Sequence, residues 1–243
     1  MRRAPVAAVA VLALVSPLVS ACESTQDKSA KLAREAQKVV QQHGLTVTRV
    51  NPAVRVVSTA VIKDANGTAV VVELRNRSAR TLAGLPLAIN VKGAGGKSLF
   101  KNNAPGLESS LVQAALLPPH GTLTWVNDQV QAAATPHAVA ARVGVTSHRA
   151  PAKLPKIGVS SPRLENDPIS GVEAVGRVTN HSAIDQRFLA VFVVARRGGS
   201  VVAAGRGVVQ RLRAGKSAAY KVFFIGNPKG ARLTVSAPPT TFG

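Results

Sequence analysis

From residue 44 onward, apolar and polar positions alternate in short β-branched runs broken by Gly, Pro and Asn. A period of two predicts strands rather than helices. Runs at 54–63 and 68–75 flank Asp64-Ala65-Asn66-Gly67. Asn-Gly between two such runs predicts a hairpin. Further strands are expected at 85–92, 98–101, 111–117, 122–126 and 138–145. Residues 149–157, with Pro151 and Pro155 among basic residues, read as a linker. The pattern restarts at 172–179, 188–195, 201–209, 218–224 and 232–237. Many short strands at this spacing predict sandwiches rather than βαβ units. Trp125 reads as core in the first half. Phe188, Phe192, Tyr220, Phe223 and Phe224 read as the core of the second.

The first 43 residues follow other rules. Met1-Arg2-Arg3 is a positive start, 6–15 is an unbroken apolar run, and small residues follow up to Ala21. This is the layout of a secretory signal peptide, and the run is too short for a membrane span of about 20 residues. Ala30, Leu32, Ala33, Ala36, Val39 and Val40 then recur with a helical period. Ser24 can cap that helix, and Lys31 and Glu35 are spaced to pair along it. Its Ala-rich stripe suits a spacer, which Gly44 ends.

The two β-rich halves repeat each other. Leu74-Arg75-Asn76-Arg77-Ser78-Ala79 matches Val178-Thr179-Asn180-His181-Ser182-Ala183. Leu117-Pro118-Pro119-His120-Gly121 has a counterpart in Leu212-Arg213-Ala214-Gly215. This predicts a duplicated unit whose first copy carries an insertion near 102–115. The fold expectation is therefore all-β. Two immunoglobulin-like sandwiches stand in tandem after a signal peptide (1–21) and a short tether (22–43). The sandwiches cover 44–148 and 158–243, joined by the linker at 149–157.

Composition narrows the chemistry. Aromatics are 3% of the chain, which argues against stacking platforms for bases or sugars. The single cysteine excludes an internal disulfide and a multi-cysteine zinc site. Val91-Lys92-Gly93-Ala94-Gly95-Gly96-Lys97-Ser98 lacks the first glycine of a phosphate-binding loop and reads as a hairpin turn. Ser98-Leu99-Phe100-Lys101 fits S-x-x-K by spacing, but it falls on a strand without companion motifs. His43, His120, His137, His148 and His181 read as exposed turn residues. Glu165-Asn166-Asp167 reads as an Asx turn rather than a calcium loop. No catalytic residue, metal site or cofactor is expected.

Charge is the remaining signal. Lys and Arg number 31 against 11 Asp and Glu, a formal net charge of +20. Residues 149–243 hold 15 basic and 4 acidic residues, against 10 and 4 in 44–148. For an exported chain the available polyanions are lipid head groups and wall polymers rather than nucleic acid. Arg196 and Arg197 at one turn, with Arg211, Arg213 and Lys216 around another, are the candidate anionic-surface site. Solubility alone is the competing account of the same charge.

Two resemblances add to this. Val19-Ser20-Ala21-Cys22 resembles the lipobox of bacterial lipoproteins. It implies cleavage after Ala21, acylation of Cys22 and anchoring at the outer face of the bacterial plasma membrane. Two or more acyl chains anchor stably where one does not. Gly176-x-Val178-x-Asn180-x-Ser182, Phe192-Val193-Val194-Ala195-Arg196 and Leu212-x-x-Gly215-Lys216-Ser217 resemble the FxLYD-type, immunoglobulin-like domains of actinobacterial cell-envelope lipoproteins. Ala195 and Arg196 stand where that motif has Tyr and Asp. The resemblance implies a non-catalytic extracytoplasmic β-sandwich. The expected function is a membrane-anchored binding or adaptor module, meeting anionic polymers, head groups or an envelope protein. The alternative is an envelope-acting enzyme or accessory subunit with a site assembled from distant residues.

Overall fold

Asn66-Gly67 closes its hairpin as expected. In the computed structural model, which describes residues 44–148, 150, 153–168 and 171–242, β1 (Val54–Asp64) pairs antiparallel with β2 (Gly67–Asn76). The Asp64 carboxylate accepts the Asn66 backbone N–H at 2.8 Å, which holds the turn. The signal peptide, Ala21, Cys22 and the tether lie outside the described residues.

The fold is an all-β sandwich built of antiparallel sheets. In the first half, β2 also pairs with β6 (Thr122–Asn127). A facing sheet centres on β3 (Leu82–Lys92), which pairs with β4 (Ser98–Lys101), β5 (Gln113–Leu117) and β7 (Ala138–Val143). A single helical turn, α1 (Ser109–Val112), replaces the start of the strand expected at 111–117. The second half begins with β8 (Ile157–Val159), so the expected linker ends one residue into a strand. β9 (Arg163–Asp167), β10 (Gly171–Asn180) and β13 (Ser217–Phe223) join β8 in one sheet. β11 (Gln186–Arg197), β12 (Ser200–Leu212), β14 (Ile225–Gly226) and β15 (Arg232–Ser236) form the other.

Glu165-Asn166-Asp167 is a correction: it is part of β9, and Asp167 pairs with Gly171 across a hairpin. An available partner strand overrides the local turn preference of Asn and Asp.

The sheets stack in four layers. One core joins the two sheets of the first half and also takes in Ala190, Phe192, Val194, Ala204 and Ile225 from the second. The other core lies between the second half's own sheets, on Val178, Leu189, Val191, Val193, Tyr220, Val222 and Phe224. The inner strands therefore lose their alternation. Ala69, Val70, Val71 and Val72 of β2 are at most 1% exposed, and Leu189–Ala195 of β11 are buried throughout. Strands covered on both faces read as continuous apolar runs. Polar contacts cross the same junction. Asp64 accepts the Gly226 N–H at 2.8 Å, Glu73 pairs with Arg196, and Asp128 pairs with Arg206.

Three aromatics depart from expectation. Phe192 serves the junction core rather than the second half's own. Phe188 and Phe223 are 57% and 45% exposed. Where β12 passes β13, a Cβ on Gly205 would stand 1.9 Å from the Phe223 carbonyl oxygen, so only glycine permits that crossing.

Candidate functional site

The repeated Asn-x-Ser motif builds the scaffold of each half. Asn76 is fully buried at the end of β2. Its amide donates to the carbonyls of Arg80 at 2.6 Å and Pro118 at 2.9 Å, and its oxygen accepts from Ser78 N–H at 2.9 Å and Ser78 Oγ at 2.8 Å. Asn180 does the same at the end of β10, donating to Ile184 O at 2.8 Å and accepting from Ser182 N–H at 3.0 Å and Oγ at 2.7 Å. Each Asn thereby folds the loop that follows it and aims the next strand.

The strand that follows begins with an irregularity in both halves. In β3 the pairing with β5 skips Gly84, between Ala83↔Leu116 and Leu85↔Ala114. In β11 the pairing with β12 skips Phe188, between Arg187↔Arg211 and Leu189↔Val209. Gly84 and Phe188 stand 104 positions apart, as do Asn76 and Asn180. Both have left-handed backbone, φ 58° at Gly84 and 49° at Phe188. Glycine adopts this freely, whereas a bulky side chain loses about 1–2 kcal/mol there.

A cleft of about 600 Å³ is lined by both of these positions. From the first half it is lined by Gly84, Gln113, Ala115 and His148, with residues 107–110 leading into α1. From the second half come Arg187, Phe188, Ala190 and Phe192, with Pro238, Thr240, Thr241 and Phe242. Most of these surfaces are apolar, as small-molecule clefts of 300–1,000 Å³ usually are.

Both walls are held from behind. The predicted insertion near 102–115 forms one of them. Asn102, 1% exposed, donates to the carbonyls of Leu87 and Leu111 at 2.8 Å each and accepts Ile89 N–H at 2.7 Å. Trp125, buried as expected, donates its indole N–H to Ser110 O at 2.7 Å. On the other wall the fully buried Gln186 side chain receives the N–H groups of Thr240 and Thr241 at 3.0 and 3.2 Å and donates to Thr241 O at 3.1 Å. The chain end is thereby pinned beside Phe188.

Arg206 ties the walls together. Its guanidinium, with the side chain 4% exposed, meets Glu108 at 3.1 Å, Asp128 at 3.3 Å and Ser110 Oγ at 2.8 Å. Glu108 is therefore already paired at the cleft edge. His148 is exposed and shares a 3.2 Å hydrogen bond with Thr146 Oγ1. Among the described residues no three His, Cys, Asp or Glu side chains gather to hold a metal.

The candidate anionic-surface residues separate into two groups. Arg196 pairs with Val201 in the β11–β12 ladder, while Arg211 pairs with Arg187, nine positions along β11. At about 3.3 Å per residue the groups lie roughly 30 Å apart. Arg196 is engaged by Glu73, and Arg197 donates to Lys229 O in the connection between β14 and β15. At the other end Arg211 meets Asp185 at 2.7 Å, and Ala214 N–H donates to the same carboxylate at 2.8 Å. These contacts, the Ala214 N–H first and Arg211 next, hold the Asp185 carboxyl below its ordinary range. Arg213 and Lys216 flank that turn, both exposed. Arg187 and Arg206 were not singled out in the sequence, and Phe188 was expected in the core rather than at a cleft. Only an alignment of the two halves that carries Gly84 onto Phe188 hints at the position Phe188 takes.

No family model and no curated relative matches the sequence.

Proposed function

We propose that this chain is an extracytoplasmic lipoprotein, held at the outer face of the plasma membrane by acyl groups on Cys22, that acts as a non-catalytic binding module of the cell envelope. The cleft at the junction of the two halves carries the binding part of this reading. It is preformed, mostly apolar, and bordered by a few polar groups, as binding clefts are. The lipobox-like Val19-Ser20-Ala21-Cys22 and the FxLYD-like pattern of the second half support the location. The anchoring test is metabolic labelling with an alkyne fatty acid, followed by detergent phase separation. Wild type is expected to carry label and enter the detergent phase, and Cys22→Ala to do neither. An unlabelled, water-soluble wild type overturns the anchor.

Contact with anionic wall polymers or head groups is a second element of the proposal. Its support is charge: 25 basic against 8 acidic residues in 44–243. Neutralising Arg211, Arg213 and Lys216 together should weaken retention on anionic liposomes at low salt. Neutralising Arg196 and Arg197 should act independently of it. The enzyme reading draws on His148 and Glu108 lining one cleft. The engagement of Glu108 by Arg206 and Ser110 favours the binding reading instead.

A further inference from the structure

We infer that the cleft takes a single-tailed anionic amphiphile, with Phe188 clamping the apolar tail and Arg187 receiving the anionic head. This rests on the reading of the chain as a binding module and names what it binds.

The argument begins from Phe188. Both halves have left-handed backbone at this point, and the first half has Gly84 there. Phe188 bears the same conformation with a large side chain that stays 57% exposed. Burial therefore returns only part of what an enclosed ring would gain. A strained residue at a cleft is a mark of binding rather than of packing. Phe188 lines the cleft with Ala190 and Phe192, and so does Phe242, next to the Thr241 that Gln186 holds.

Charge borders the same cleft. Arg187 precedes Phe188, lines the same cleft, is exposed, and forms no ion pair among the described residues. Arg211 stands directly across the ladder from it, so the two share a face. The neighbouring carboxylates are engaged: Asp185 by Arg211 and the Ala214 N–H, Glu108 by Arg206. An apolar slot bordered by a guanidinium that no carboxylate engages complements a tail ending in a carboxylate or phosphate. The 600 Å³ volume suits one tail rather than a large lipid.

The experiment titrates the chain lacking residues 1–22 with palmitate, lysophosphatidate and hexadecanol, by calorimetry and thermal melts. Palmitate or lysophosphatidate, or both, should saturate at one per chain, and hexadecanol should bind at least about fivefold more weakly. The tighter of the two anionic probes tells a carboxylate head from a phosphate one. Phe188→Gly should raise the unliganded Tm by about 2–4 °C, by relief of strain, and weaken binding about tenfold or more. Arg187→Gln should weaken the anionic probes and leave hexadecanol unchanged. Absence of saturable binding by either anionic probe, or binding only to anionic vesicles, overturns the site. Full affinity in Phe188→Gly, or a fall in Tm together with lost binding, overturns the clamp. Unchanged anionic affinity in Arg187→Gln overturns the head-group assignment. The labelling result for Cys22 is independent of all of these, so anchor and ligand can fail separately.

Discussion

Asn76 and Asn180 hold the same position in the two halves of the chain, each fully buried and each accepting from the serine two residues on. Their backbones match as well. Asn76 N–H donates to Gly121 O and Asn180 N–H to Lys216 O, both at 2.9 Å. Removing either side chain takes the amide donor from at least two loop carbonyls and the acceptor from the serine two residues on. Asn76→Ala and Asn180→Ala should each lower unfolding stability by about 2–4 kcal/mol, measured by urea denaturation. A loss under 1 kcal/mol from either would show that water can replace the amide.

The same backbone match sets His120 against Gly215, because Gly121 N–H bonds Pro118 O as Lys216 N–H bonds Arg213 O. Both are left-handed, with φ of 51° and 65°. His120→Gly should therefore stabilise the protein by about 0.5–1 kcal/mol, and Gly215→His should destabilise it by a similar amount. Paired chemical melts decide it, and a destabilised His120→Gly would assign the imidazole a contact of its own.

Arg206 is the buried cation of the junction, facing two carboxylates. Arg206→Ala leaves Asp128 and Glu108 together without it, and should cost about 2–4 kcal/mol. Arg206→Met with Glu108→Gln and Asp128→Asn should recover part of that loss, because no charge is then stranded. If the triple variant is no better than Arg206→Ala, packing rather than charge is what Arg206 supplies.

Separating the halves exposes the junction. A fragment of residues 153–243 would present Ala190, Phe192, Val194, Ala204 and Ile225 to water. It should bind a hydrophobic dye and self-associate, and Phe192→Glu should reduce both. A soluble fragment that ignores the dye would mean the junction contributes little to the second half.

Asp185 supplies the pH test. Its carboxyl is lowered in the folded chain, chiefly by the Ala214 N–H and then by Arg211. A lowered folded value gives stability that is complete above the unfolded value of about 3.9 and is lost as pH falls through the folded one. The stability gap between wild type and Asp185→Asn should therefore hold from pH 7 to 5 and close below about pH 4. Denaturation midpoints across pH 2.5–7 test it. A gap that persists at the acid end would show a hydrogen bond indifferent to the charge.

Local alternation and turn chemistry determined most strands from the sequence by itself, because a period of two and an Asn-Gly turn need no distant partner. The duplicated Asn-x-Ser motif was legible for the same reason: its serine contact is two residues away. Distant partners decided the rest. Glu165-Asn166-Asp167 is a strand only because β10 is there to pair with it. Phe192 faces the junction because β11 is covered on both sides, so its apolar run does not reveal which residue meets which core. Arg196 and Arg211 lie fifteen positions apart in the sequence. They end at opposite ends of one long hairpin, since a strand near twelve residues carries its turns far apart. The cleft joins positions from 84 to 242. Such a site exists only once four sheets have stacked, because burial and proximity are properties of the packed chain and not of its order.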